Sequence, residues 1–435
     1  MSDYMFMLDS HLNSEQSKAL AEVRDAAEQA NLNLFLTGGA MRDMMGGFPI
    51  RDLDFTIEGG TVKFAKALAQ KAGADVLSVD ELKKSVELRF PGDVLGSISM
   101  ARQEKYAKPG AKPQVTPATI HEDLRCRDFT VNAIALSLGK ASRGLLLDPT
   151  NGLGELSRKE LRAVSNYALY DDPSRILRMI RLKTRFGFTI DERTMSQYQN
   201  VREAKLETKI APPAVKHELL QMAADPLAGD ILKALEDEKL ISLISPTLSG
   251  AKLNLAGFQK LQKARQSLPF GMTIPTDSTA LFLFILLEKL SPKERVQLAK
   301  SVELTKEELD AAHKLELRAN KLDKELASAK ITRPSALFAM LSKVPGEVLL
   351  FILMRSNHRL VLDRVKNYLQ KYLPMSQEVS AKDVVGAEPG TPKFQKLFQQ
   401  MINAKLDARP KKIVVEEVPP PPPLMAGRRS ASFAR

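Results

Sequence analysis

The sequence predicts a small mixed α/β head followed by an elongated all-helical remainder. Two patterns and one cluster predict it. Short apolar runs bounded by Gly, Pro and Asp alternate with helix-like periods through roughly the first 140 residues. From Asp172 to about Leu373 apolar residues recur at helical spacing, broken at Pro212-Pro213, Pro226, Pro275 and Pro345, and long β-rich patterns do not return. Early in the head, a glycine pair, an arginine and two aspartates crowd into LFLTGGAMRDMMGGFPIRDLDFTIEGG, residues 34–60.

The elements follow in order. Residues 1–30 read as one amphipathic helix, roughly 14–30. Residues 32–37 form a short apolar run that stops at Gly38-Gly39, as a buried strand entering a turn does. Residues 40–45 start a helix, and Gly46-Gly47 with Pro49 end it. Residues 52–57 alternate: Leu53, Phe55 and Ile57 point one way, Asp52, Asp54 and Thr56 the other. Residues 61–72 are helical, and 85–90 and 96–100 are strands with a turn at Gly92-Asp93. Residues 105–120 read as a loop. In DLRCRDFTVNAIALSL, 123–138, the polar Arg127, Asp128 and Asn132 interrupt an apolar pattern that fits strand or helix. Residues 385–392 read as a linker, and the tail with prolines 419–423 and GRRSASFAR as disordered. The excess of basic residues in that tail suits either solubility or RNA contact.

Composition narrows the partners. A chain of 435 residues with 44% hydrophobic content has material for two to four domains. The longest uncharged apolar runs, 280–287 and 348–354, fall far short of the ~20 residues of a membrane helix, so no membrane partner is expected. MSDYMFMLDS has no basic region followed by an apolar core, and a cytoplasmic location is expected. A single cysteine, Cys126, fits a reducing compartment and excludes a Cys-based zinc site. A net charge of +12 favours a polyanionic partner, most simply nucleic acid.

Three stretches carry chemistry. Gly38 and Gly39, between a strand and a helix, let backbone N–H groups approach a phosphate, and Arg42 lies one turn further with a bidentate fork. Asp52 and Asp54, two apart on a strand, project from one face and repel unless a cation joins them; Mg²⁺ takes carboxylate and phosphate oxygens together. Neither G-x-G-x-x-G nor G-x-x-x-x-G-K-[ST] occurs. In DDPSRILRMIRLKTRFGF, Arg175, Arg178 and Arg181 recur every three residues, a drift of about 60° per step, so they share one side of a helix. No acid stands four residues from any of them within that helix, which points to an anionic ligand; the alternative is a solvated basic face.

Together GGAMRD, RDLDF, RDFTVNAIAL and DDPSRILRMIRLKTRFGF resemble the class II tRNA nucleotidyltransferase and bacterial poly(A) polymerase family of the polymerase-β superfamily. SMARQEKY and LLDPTNGLGEL add to the likeness, which covers about residues 30–220. It implies a nucleotidyltransferase head over 1–150, a helical neck over 151–220, a helical body and tail over 221–384, and a linker with a Pro-rich basic tail over 385–435. By the resemblance, Asp52 and Asp54 are the catalytic and metal-binding carboxylates, with Mg²⁺ as cofactor. Gly38, Gly39 and Arg42 hold the triphosphate, Arg127 and Asp128 contact nucleotide and ribose, and Asp172 with Arg175 reads the base. Arg178 and Arg181 match further nucleotide contacts. Ser97 stands five residues before Arg102, where relatives commonly carry an acid.

The implied activity is template-independent transfer of CMP and AMP from CTP and ATP to an RNA 3′ end, the tRNA terminus first. Poly(A) synthesis and addition of CC or A alone share the same motifs, and a catalytically weak RNA-binding relative is the reading Ser97 supports. The base choice follows from chemistry: a carboxylate accepts and a guanidinium donates, which suits the amino donor and ring acceptor of cytosine and adenine. Uracil and guanine set a carbonyl against Asp172.

Overall fold

The computed structural model describes residues 3–269, 274–380, 383–388 and 390–408. The chain divides into two units, Met1–Ser328 with Lys343–Lys366, and Ala329–Ser342 with Asn367–Arg435. The first opens with helices α1 (Asp3–His11) and α2 (Ser14–Gln29). The sequence suggests one helix here. Asn13 separates two, because its side chain accepts from the Gln16 N–H while Gln16 accepts from the Asn13 N–H, a reciprocal cap that starts α2 afresh.

The head continues as β1 (Leu34–Thr37), α3 (Gly38–Met45), β2 (Leu53–Ile57), α4 (Thr61–Ala72), β3 (Asp75–Asp80), β4 (Ser85–Phe90) and β5 (Val94–Met100). A hairpin of β6 (Arg102–Lys105) and β7 (Gln114–Pro117) follows, then α5 (Ile120–Arg125), β8 (Ala135–Ser137) and β9 (Leu146–Leu147). Seven strands form one mixed sheet, ordered β3-β4-β5-β2-β1-β8-β9, in which β2 and β5 run parallel. Register divides its faces. Leu53, Phe55 and Ile57 align with Gly96, Ile98 and Met100, and these with Leu88 and Val86, all inside the core. Asp54, Ser97 and Glu87 align on the opposite face. Gly96 is required by close packing: a Cβ there would lie 3.0 Å from the Leu53 carbonyl oxygen.

Three details depart from the sequence reading. The strand β3 lies at the sheet edge, and its residues DVLSVD are almost all exposed, so it lacks the half-buried alternation that marks a strand. The predicted loop at 105–120 contains β7, which gains its ladder only by pairing with β6. The ambiguous stretch 123–138 is all three things in turn: the end of α5, a 3₁₀ turn over Thr130–Asn132, and β8.

The rest of the first unit is mostly helical: α6 (Gly152–Arg158), α7 (Ala168–Asp171), α8 (Arg175–Phe186), α9 (Glu192–Glu203), α10 (Pro212–Ala223) and further helices. It is not wholly so, since β10 (Glu160–Leu161) and β11 (Thr189–Ile190) pair in parallel. Pro212 and Pro213 begin α10 rather than merely interrupting a helix, where the missing N–H costs nothing. Ser278–Glu288 is apolar nearly all round and buries Leu281, Phe282, Leu283, Ile285 and Leu286 against Lys306–Leu326. No single helix among the described residues is long and apolar enough to cross a membrane.

In the second unit, Pro392–Asp407 is a helix, which corrects the part of the 385–435 linker-and-tail reading that falls on 392–407. Thr391 caps it, Ile402 and Leu406 are buried, and it packs on Pro334–Leu341, where Asp407 accepts from the Ser335 N–H and hydroxyl at 2.9 and 2.6 Å. It also packs on Leu373–Gln377, and the surface it shares with Pro334–Leu341 comes from residues more than 50 positions away, which local composition does not report. Residues 409–435, with the proline run and the basic end, lie outside the described residues.

Candidate active site

The polar face of the sheet forms one wall of a cleft of about 520 Å³. At its floor β1 ends and α3 begins. Gly38 has φ +63, a left-handed conformation that favours glycine. A Cβ on Gly39 would meet Asp54 Oδ2 at 3.1 Å, and the Gly39 N–H donates to that same oxygen at 3.1 Å. The glycine pair is therefore required by the approach of the Asp54 carboxylate to the helix start.

Asp52 immediately precedes β2, and Asp54 is its second residue. Asp52 takes no hydrogen bond or ion pair among the described residues, and burial, then the neighbouring Asp54 charge, push its carboxyl up to about 6. Burial raises Asp54 as well, opposed by the Ser97 hydrogen bond and by Arg127 and Arg42. Ser97 Oγ donates to Asp54 Oδ1 at 2.9 Å. Two carboxyl groups held together against burial and repulsion are a fitting place for a divalent cation. No group of three or more His, Cys, Asp or Glu suited to a metal occurs among the described residues, so the protein supplies a sparse ligand set. Glu87, in register with Ser97, instead accepts from Ser78 Oγ at 2.9 Å.

The second wall comes from 123–132. Arg127 is clamped by Asp123 at 2.8 Å and donates to Thr56 Oγ1 at 3.0 Å. Asp128 accepts from Asn132 Nδ2 at 3.0 Å and from Arg178 at 2.8 Å. Burial favours its neutral form, yet Arg178 and Arg175 hold its carboxyl well below the usual range. Arg42 donates to Asp43 Oδ1 at 2.6 Å and to Asn132 Oδ1 at 2.7 Å, and its guanidinium lies 4.8 Å from the Phe186 ring centre. These contacts fix it at the cleft rather than leaving it free to swing.

The third wall is α8. The sequence leaves a choice between an anion site and a solvated basic face. The arginines are not a solvated face: Arg175 and Arg181 are only 8% and 5% exposed. Glu218, on α10 and 1% exposed, receives Arg178 at 2.7 Å and Arg181 at 2.9 Å. Against its burial, those two arginines pull the Glu218 carboxyl down to about 2. The acid missing from the helix thus sits on another one. Arg175 donates to the carbonyls of Cys126, Arg127 and Ala168, and its Nε lies 3.9 Å from Asp172 Oδ2. The other Asp172 oxygen accepts from Ser174 N and Oγ at 3.0 and 2.5 Å, which leaves Oδ2 without a hydrogen bond among the described residues, and Asp172 lines the cleft.

All the residues singled out from the sequence line this one cleft: Gly38, Gly39, Arg42, Asp52, Asp54, Arg127, Asp128, Asp172, Arg175, Arg178 and Arg181. Glu218, His217 and Gln221 also line or clamp it and were not singled out. No sequence signal marks them, since the partner arginines lie about 40 residues away. Asn132 did carry a signal, a polar residue in an apolar run, and it bridges Arg42 and Asp128.

Comparison with known proteins agrees with this architecture. Residues 34–162 match the model of the poly A polymerase head domain. An A-adding tRNA nucleotidyltransferase of Halalkalibacterium halodurans is 34% identical over 221 residues, 50% of this chain and 52% of the relative. A CC-adding tRNA nucleotidyltransferase of Deinococcus radiodurans is 31% identical over 223 residues, 51% of this chain and 58% of the relative. The chain spans about half the length of the curated relatives it matches. A solved apo structure of a CCA-adding enzyme shares the fold, with a TM-score of 0.52 and 21% identity over 94% of this chain and 95% of that one.

Proposed function

We propose that the chain, whose residues 34–162 match the model of the poly A polymerase head domain, is a template-independent RNA nucleotidyltransferase adding CMP and AMP from CTP and ATP to the tRNA 3′ end. One observation carries the reading: a carboxylate pair suited to a divalent cation and an Asp-Arg pair suited to a base open into the same cleft. The proposal includes magnesium as the metal and the cytoplasm as the compartment.

Asp52 and Asp54 would hold the magnesium, which supplies charge stabilisation for the attacking 3′-hydroxyl and the departing pyrophosphate. Ser97 and the Gly39 N–H fix the Asp54 carboxylate so that it need not reorganise. Arg127, Arg42 and the head of α8 give the cleft a positive wall for the triphosphate. Asp172 Oδ2 accepts from the amino group of cytosine or adenine, while Arg175 donates to the adjacent ring acceptor. Asp128 and Glu218 hold the surrounding arginines in place, so the base meets a rigid template made of protein.

A second reading, addition of CC or of A alone, is favoured by the names of the relatives, one A-adding and one CC-adding. An extension assay separates them. tRNAs ending before CCA, after C and after CC, with an unrelated RNA, are offered each nucleotide singly and together with Mg²⁺. Growth to CCA and no further on tRNA supports the first reading. Stopping at CC, or growth only from CC, supports partial activity. Long A tracts on any RNA make the chain a poly(A) polymerase, and no incorporation makes it a silent RNA-binding relative.

A further inference from the structure

A second cavity of about 360 Å³ borders the same 125–132 segment. Cys126, Arg127, Asp128 and Asn132 line the nucleotide cleft, whereas Arg125 and Thr130 line this one. Arg162 and Arg193 add two more guanidinium groups to it, against one carboxylate, Asp191. That carboxylate is committed, since Asp191 Oδ2 accepts from Thr194 N and Oγ1 at 3.0 and 3.2 Å. Arg125 and Arg193 form no ion pair among the described residues. Arg162 shares Glu155 with Arg158, at 3.6 and 3.0 Å. The Thr150 hydroxyl, also in the lining, is buried without a hydrogen-bond partner among the described residues. A positively charged hollow with unspent donors is built for an anion.

We propose that this cavity holds a backbone phosphate of the RNA strand whose 3′ end enters the nucleotide cleft, and that Tyr167 stacks on a neighbouring base; this rests on the nucleotidyltransferase reading above. Two facts favour RNA over a free anion. The cavity and the nucleotide cleft share one short segment, with Arg125 and Thr130 lining the one and Cys126, Arg127, Asp128 and Asn132 the other, which sets the basic hollow beside the site where the RNA 3′ end reacts. Tyr167 is 70% exposed, and its N–H donates to the hydroxyl of Ser165, which lines the cavity. An exposed ring beside a basic hollow serves a single strand, which offers a base and a phosphate together. A free anion has no use for the ring.

The test uses the full chain with R125A/R193A and Y167A. RNA affinity is measured by fluorescence anisotropy across a salt series, and ATP binding by calorimetry. R125A/R193A weakens RNA binding and flattens the slope of log K against log salt by roughly 1, with ATP binding unchanged. Y167A weakens RNA binding about 5- to 100-fold without changing that slope. Wild-type RNA affinity and slope in R125A/R193A would overturn the site while ATP binding and extension leave the enzyme reading standing. Thermal stabilisation by inorganic phosphate that R125A/R193A abolishes, with RNA affinity unchanged, makes the cavity a free-anion pocket and also overturns it. A wild-type chain that binds neither ATP nor RNA removes both readings. All three substituted side chains are exposed, and thermal melting of each variant confirms that the fold is retained.

Discussion

Ser97 Oγ donates to Asp54 Oδ1 at 2.9 Å, across the parallel pairing of β5 with β2. The hydroxyl occupies a register position from which an acidic side chain would face the same carboxylate. It lowers the Asp54 carboxyl against the rise that burial imposes, and it orients the oxygen without adding charge. S97A therefore weakens Mn²⁺ binding at pH 7 roughly fivefold, from the loss of about one hydrogen bond. The acid limb of the metal-binding profile moves to higher pH. A paramagnetic resonance titration reads both, and S97T restores them. Unchanged binding and profile in S97A would remove Ser97 from the positioning role.

Asp52 gives a stability test that needs no substrate. Its carboxyl sits near 6 in the folded chain, above its ordinary value, because burial and then Asp54 disfavour the charge. The folded state is penalised as pH rises through 6 and not below about 4, where Asp52 is protonated folded or unfolded. D52N removes the penalty. The Tm gain of D52N over the metal-free wild type should be absent at low pH and grow up to about pH 7. A gain independent of pH would refute the shift.

Transfer itself should separate from RNA binding. D52A and D54A should each abolish nucleotide incorporation while RNA affinity stays within about twofold of wild type, because in the proposed mechanism the carboxylates serve the reacting centre and not phosphate contacts. Extension assays and anisotropy on the same preparations check this. Near-wild-type incorporation by either variant would sink the metal assignment.

Base choice should pass through Asp172. Its Oδ2 has no hydrogen-bond partner among the described residues and lies beside Arg175. D172N offers an amide donor where the carboxylate only accepts, so UTP and GTP gain on CTP and ATP by about tenfold or more in relative kcat/KM. RNA affinity is unaffected. Single-nucleotide incorporation kinetics decide it, and an unchanged nucleotide preference takes Asp172 out of the reading pair.

Glu218 should be worth more to the fold than its sequence position suggests. It neutralises two guanidinium groups at a site 1% exposed. E218A leaves a charge imbalance inside the protein, and unfolding free energy should fall by about 3–5 kcal/mol, read from urea denaturation. A loss below about 1 kcal/mol would mean that the arginines find other partners.

The sequence by itself determined the periodic elements and the chemistry-bearing motifs. Alternation at 52–57 fixed which face Asp52 and Asp54 take, and the three-residue spacing of Arg175, Arg178 and Arg181 fixed one helix side. These are local properties, set by backbone geometry over a few residues. Tertiary structure decided everything that depends on partners far along the chain. It placed Ser97 against Asp54, 43 residues away, and Glu218 against Arg178, 40 residues away. It made an apparently unpaired basic face a buried ion-paired wall, and made a helix of Pro392–Asp407, within the span assigned to linker and tail, by giving Ile402 and Leu406 a surface to cover. Burial and charge compensation are sums over neighbours in space, and a periodicity read along the chain does not contain them.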